Sequence, residues 1–227
     1  RIKQRQPENR ITPFSGCPKG TAMPPAKFFA ALILTPLLAI AAPAPITLPQ
    51  IQTQAQQGNP EAQARLGEAY LNSNLGIAQD CAQALAWSSK AAQQGNRQAR
   101  RNLAVQYLNG CGTAFDYPKA LALLQQSYQA GDKKSALYLG IIYERGLGVA
   151  QDYAQAAAYY QQADQNNDIT GQYRLAKLYE QGLGVPRDFA QARALYLKHT
   201  TRQDHITAPS FQALGDLYRY GLGVNKN

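Results

Sequence analysis

The chain has 227 residues, 45% of them hydrophobic, with 23 Lys/Arg, 14 Asp/Glu and a formal net charge of +9. That apolar share supports a packed core and excludes a disordered chain. Only 16% of the residues are charged, so Gln, Asn and Ser must supply much of the polar surface.

Residues 1–22 mix Pro, Gly and charge without periodicity. They read as sequence upstream of the native start, with no fold of their own. Met23 is the only methionine, and Lys27 then precedes an apolar stretch from Phe28 to Ala42. A short positive region, an apolar run and the small-x-small triplet Ala39-Ile40-Ala41 together describe a signal peptide over 23–41, cut before Ala42. The rival reading is a short anchor on a cytosolic scaffold. With Pro36 inside it, the run falls short of the ~20 residues that span a bilayer. No cysteine follows to carry a lipid anchor. The expectation is therefore a periplasmic or secreted protein with no stable membrane insertion after cleavage.

Removing 1–41 takes away six Lys/Arg and one acid, which leaves 17 basic and 13 acidic side chains, net +4. A charge of +4 spread along the chain does not point to nucleic acid. Arg97, Arg100 and Arg101 form the one dense basic group and read as a solvated helix face.

Residues 42–60 are expected to be a linker and the start of the fold. From residue 61 a fixed period takes over. Asp80, Asp116, Asp152 and Asp188 stand 36 residues apart, each four after a glycine and four before an alanine. A period of this size marks a stacked repeat protein. The copies are 61–96, 97–132, 133–168 and 169–207, with a partial copy over 208–227.

In each copy a Leu and a Tyr recur four apart: Leu66/Tyr70, Leu103/Tyr107, Leu139/Tyr143, Leu175/Tyr179 and Leu214/Tyr218. That spacing puts both on one face of an amphipathic helix. A small residue follows each Leu (Gly67, Ala104, Gly140, Ala176, Gly215), which suits close helix–helix approach. A glycine-containing loop such as Gly146-Leu147-Gly148 stops the helix. It follows a helix and no P-loop Lys-Ser/Thr comes after it, so it is not a phosphate cradle. Each Asp then reads as the N-cap of a second helix, a structural carboxylate. Those second helices carry Trp87, Leu123, Tyr159 and Leu195 and close at Gly95, Gly131 or Asn167.

Cys17 precedes the expected cut. Cys81 and Cys111 remain, at the same end of adjacent layers, and an even pair in an oxidising compartment reads as a disulfide. The alternative is two independent thiols, with Cys111 filling the slot of Leu147 and Leu183. No HExxH, GxSxG, CxxC or Walker pattern occurs. His199, His205 and Asp204 gather in the irregular end of the fourth copy and make only a thin metal or acid/base idea. No catalytic residue, metal or cofactor is expected.

Ala62, Leu66, Gly67, Tyr70, Gly76, Asp80, Ala84, Trp87, Lys90, Ala91, Ala92 and Gly95 of the first copy, and Leu139, Gly140, Tyr143, Gly146, Gly148, Val149, Asp152 and Ala156 of the third, resemble the Sel-one-like repeat. This family is related to the tetratricopeptide repeat, and the resemblance covers about 61–224. It implies an all-α fold, an α/α solenoid superhelix of four helix-turn-helix repeats plus a partial fifth. It also implies a concave face lined by the first helices that binds a protein or peptide. By that resemblance the positions two before and two after each Leu are the contact candidates: Glu68, Arg101, Val105, Leu137, Ile141, Tyr173, Lys177 and Gln212. The competing reading packs them against the neighbouring layer. The function implied is a non-catalytic adaptor. The alternative is a targeting or regulatory module for an envelope or peptidoglycan enzyme whose catalytic domain lies outside this chain. Ending on a first helix and loop leaves the last layer unpartnered, so the sequence reads as one that continues.

Overall fold

The computed structural model describes residues 46–198 and 207–223, and these hold ten helices and no strand. They are α1 (Leu48–Gln56), α2 (Pro60–Asn72), α3 (Cys81–Gln93), α4 (Arg97–Asn109), α5 (Tyr117–Gln129), α6 (Ser135–Arg145), α7 (Tyr153–Gln165), α8 (Ile169–Gln181), α9 (Phe189–Leu197) and α10 (Ala208–Tyr220). The fold is an all-α solenoid. Four pairs, α2/α3, α4/α5, α6/α7 and α8/α9, stack in chain order, and α10 packs on α9. The signal-peptide region, Cys17, His199, Asp204, His205 and Val224 lie outside the described residues.

Local chemistry starts each second helix. The Asp80 carboxylate accepts from the Ala82 and Gln83 amides at 2.9 and 3.0 Å. Asp116 and Asp152 accept from Lys119 and Gln155, and Asp188 accepts from Ala190 and Gln191. The cap residue also ties back to the helix before it. Its own amide donates to the in-phase tyrosine's carbonyl: Asp80 to Tyr70, Asp116 to Tyr107, Asp152 to Tyr143 and Asp188 to Tyr179, at 2.9–3.2 Å. The shared period of Tyr and Asp therefore has a backbone cause as well as a packing one.

The core is the Leu/Ala register of the copies. Leu66, Leu103, Leu139, Leu175 and Leu214 are buried, as are Ala84, Ala120, Ala156 and Ala192. Close approach needs glycine at two kinds of place. Gly140 on α6 faces the Tyr160 ring, and a Cβ there would collide with it. In the loops, Gly184 has φ +67° and touches the Tyr153 backbone of the preceding layer, where no side chain fits. Gly112 makes the same contact with Cys81, and next to it Cys81 and Cys111 form a disulfide, Cα–Cα 5.1 Å. The bridge covalently fixes a loop contact that the other layers make by packing alone.

The described part of the segment expected to hold a linker and the start of the fold, residues 46–60, carries helix α1. Helix α1 packs on α2, with Ile51 and Ala55 buried. It ends in Ala55-Gln56-Gln57-Gly58-Asn59, the same five residues as Ala92-Gln93-Gln94-Gly95-Asn96 at the close of α3. Gly58 and Gly95 also share positive φ, +92° and +87°. Helix α1 thus serves α2 as the closing half of a second helix. The aspartate register could not reach it, because Ala44 stands 36 residues before Asp80.

Candidate binding groove

Helices α2, α4 and α6 lie in succession, and α2 touches α4 directly. Between them two clefts share Glu68, Arg101 and Lys134 and form one groove. The larger, about 720 Å³, is lined by charge: Glu61, Arg65, Arg97, Arg101, Asp132 and Lys134 with the amides of Asn96 and Gln98. The smaller, about 170 Å³, adds Leu71, Val105, Leu137 and Tyr138. The smaller cleft also has Asn72, Asn102 and Asp168 in its lining, so the groove is charged at one end and mixed polar and apolar at the other.

Its floor is a buried ion pair. Arg101 is 6% exposed and meets Asp132 with Nη1 at 2.8 and 3.0 Å from the two carboxylate oxygens. Asp132 also accepts from the hydroxyls of Ser127 and Ser135. Asn96 and Asp168 hold the equivalent position in neighbouring copies, and there each caps its helix through Ala99 or Gly171. Helix α6 has no such cap, because the Asp132 carboxylate is turned to Arg101. Glu68 accepts from Gln98 at 2.5 Å and lies 4.0 Å from Arg101. Burial pushes the Tyr138 phenol up, against the downward pull of Arg101.

Four of the eight residues expected at the contact face, Glu68, Arg101, Val105 and Leu137, come together in the smaller cleft. Arg101 does not project outward, and the run Arg97, Arg100, Arg101 is not a uniform solvated face. Arg97 donates to the Ala130 carbonyl, while Arg101 turns inward to its carboxylate. Ile141, Tyr173 and part of Leu137 pack against the core shared by α7–α10. Lys177 is held by Glu180 at 3.2 Å, and Gln212 is exposed on α10.

The groove also uses positions that the spacing from Leu passed over. Lys134 is five before Leu139, Glu61 five before Leu66, Arg65 one before Leu66 and Tyr138 one before Leu139. Offsets of −5, −2, −1 and +2 share one helical face, so helical periodicity alone could have supplied them. Asp132 carries no such signal, since it stands outside that register and its counterparts Asn96 and Asp168 cap their helices.

Among the described residues no cluster of His, Cys, Asp or Glu is placed to hold a metal, and no helix is long and apolar enough to cross a membrane. The Sel1 repeat matches residues 60–96, 97–132, 133–167, 169–198 and 212–227. A comparison with curated proteins gives no match. Among solved structures, a protective antigen of uropathogenic Escherichia coli with an SLR fold aligns at 32% identity and TM-score 0.67 over 79% of this chain. This chain covers 38% of that antigen's length, well under half. A Sel1 repeat protein from Oxalobacter formigenes aligns at 28% identity and TM-score 0.68, covering 79% of this chain and 70% of the other. With more than half of its length matched in five in-phase stretches, the chain belongs to the Sel1 repeat family.

Proposed function

We propose that the protein is an exported, non-catalytic adaptor that binds a protein or peptide partner in the groove of α2, α4 and α6. The observation that carries this is the groove itself. Three successive layers supply its walls, and a preformed network at its floor holds them in place. A concave surface of this kind is how stacked repeats present themselves to partners. Its apolar patch rimmed by charge has the make-up of an interface. The Cys81–Cys111 bridge supports export, because disulfides persist in oxidising compartments.

Two measurements test this reading. A photo-crosslinking residue in place of Val105, on the groove wall, is expected to give protein adducts in producing cells. The same residue in place of Gln155, exposed on α7, is expected to give none. Equal adduct patterns from both sites defeat the groove. N-terminal sequencing of the mature protein is expected to begin at Ala42, and an unprocessed N-terminus defeats export.

A further inference from the structure

The charges in the larger cleft are unequally engaged. Each of its three acids accepts a hydrogen bond, but only Asp132 is neutralised by a close cation, so four cations face three acids there. Glu61 accepts from Asn96 at 2.7 Å, Glu68 from Gln98 at 2.5 Å, and Asp132 holds Arg101. Among the cations, Arg101 is committed to Asp132 and Arg97 reaches the Ala130 carbonyl at 3.3 Å. Arg65 and Lys134 are exposed and line the cleft, yet among the described residues neither makes a hydrogen bond or an ion pair. They come from α2 and from the start of α6, on either side of α4.

From this imbalance we infer that the groove takes an acidic segment of the partner. Its carboxylates sit between Arg65 and Lys134, and an apolar side chain beside them reaches Leu71, Val105 and Leu137. The inference rests on the groove being the protein-binding surface. A carboxylate suits this setting because a guanidinium offers it paired, charge-assisted donors and a lysine a second point charge. A basic segment would meet Glu61 and Glu68 already hydrogen-bonded to Asn96 and Gln98, whereas Arg65 and Lys134 are wholly unengaged among the described residues. A nucleic acid needs a continuous cationic track, whereas here acids alternate with the bases. Lys134 and Leu137 both line the smaller cleft, so the ligand's acidic and apolar groups lie within a residue or two of each other.

The test uses the purified chain and three labelled dodecapeptides alternating Leu with Glu, Gln or Lys, read by fluorescence anisotropy. The Glu peptide is expected to bind at least about tenfold more tightly than the Gln peptide, and more weakly as salt rises. The double variant Arg65→Glu/Lys134→Glu is expected to lose about tenfold for the Glu peptide. Both side chains are exposed and unpartnered, so the fold should survive, and circular dichroism checks this. Lys133→Glu makes one charge reversal on an exposed residue outside the cleft, and is expected to change binding by less than about twofold. Three results overturn the inference: a Glu peptide that binds no better than the Gln or Lys peptide, a double reversal without effect, or a single-stranded oligonucleotide that displaces the Glu peptide at equal concentration. The Val105 crosslinks separate this failure from a wider one. Adducts at Val105 without an acidic preference leave the groove as the binding surface, whereas no adducts remove both readings.

Discussion

Arg101 and Asp132 show how far one side chain can depart from the role its repeat position assigns. Removing one partner of a buried pair leaves the other charge unpaired, at about 3–5 kcal/mol. Asp132→Asn is therefore expected to lower stability by about 3 kcal/mol in urea unfolding. Glu68→Gln, at the 4.0 Å edge of the same network, is expected to cost under about 1 kcal/mol. Equal losses would mean that Asp132 is not the residue that neutralises Arg101. Tyr160 gives a second test at this scale. It is fully buried, and its hydroxyl donates to Glu144, which Arg174 holds at 2.7 Å. Burial, followed by the bond to Glu144, pushes its phenol well above the ordinary tyrosine value. The unfolded tyrosine ionises near pH 10 while the folded one keeps its proton. Above that pH the unfolded chain binds fewer protons, so stability falls as pH rises. The contribution is complete below about pH 10 and is lost as pH climbs through the folded value. The urea midpoint is expected to fall as pH rises above about 10, and to fall less in Tyr160→Phe. An unchanged slope in that variant would place the effect elsewhere.

Between elements, the loops decide how layers meet. Gly76 and Gly184 occupy the same place in the first and fourth copies, with φ +76° and +67°. Nothing lies near Gly76, while Gly184 abuts the Tyr153 backbone. Gly76→Ala is expected to cost about 1–2 kcal/mol, the price of left-handed backbone alone. Gly184→Ala is expected to exceed about 3 kcal/mol, since it adds a collision with main chain that cannot move aside. Similar losses in thermal unfolding would mean that the layer contact is soft. Where the second copy has Cys111, the same contact is locked by the bridge. Closing a loop with a sequence separation of 30 constrains the unfolded chain by about 3.5–4 kcal/mol. Reduction, or a paired Cys81→Ser/Cys111→Ser, is expected to lower stability by about that amount.

Across the whole molecule, each layer is stabilised mainly by its neighbours, so stability varies along the stack. Helix α10 packs on α9 and exposes Phe211, Tyr218 and Tyr220. Gly215 has nothing within 4 Å, whereas Gly140, its equivalent in the third copy, lies against Tyr160. Amide exchange is expected to be fastest in α10 and slowest in α4–α7, which have neighbours on both sides. Uniform protection along the chain would mean that the stack unfolds as one cooperative unit. The groove of α2, α4 and α6 spans the first three layers of the stack, away from the weakly supported α10.

The amino-acid sequence by itself determined the repeat, the helix pairs and the hydrophobic register. These rest on contacts within one copy: Leu and Tyr four apart on a helix, a glycine that admits positive φ, an aspartate that caps the next turn. Such interactions are local, so they leave a period that can be counted. The tertiary structure alone decided what the copies do to each other. It made Asp132, whose counterparts cap their helices, the counter-charge of Arg101, made α1 the partner of α2, and packed Ile141 and Tyr173, half-buried, against the core of α7–α10. It also left Arg65 and Lys134 unpaired across a groove. Most of these depend on residues about thirty or more positions apart, or on which of two equivalent positions a neighbouring layer covers, and α1 lies before the first aspartate; a period that treats every copy alike is blind to all of them.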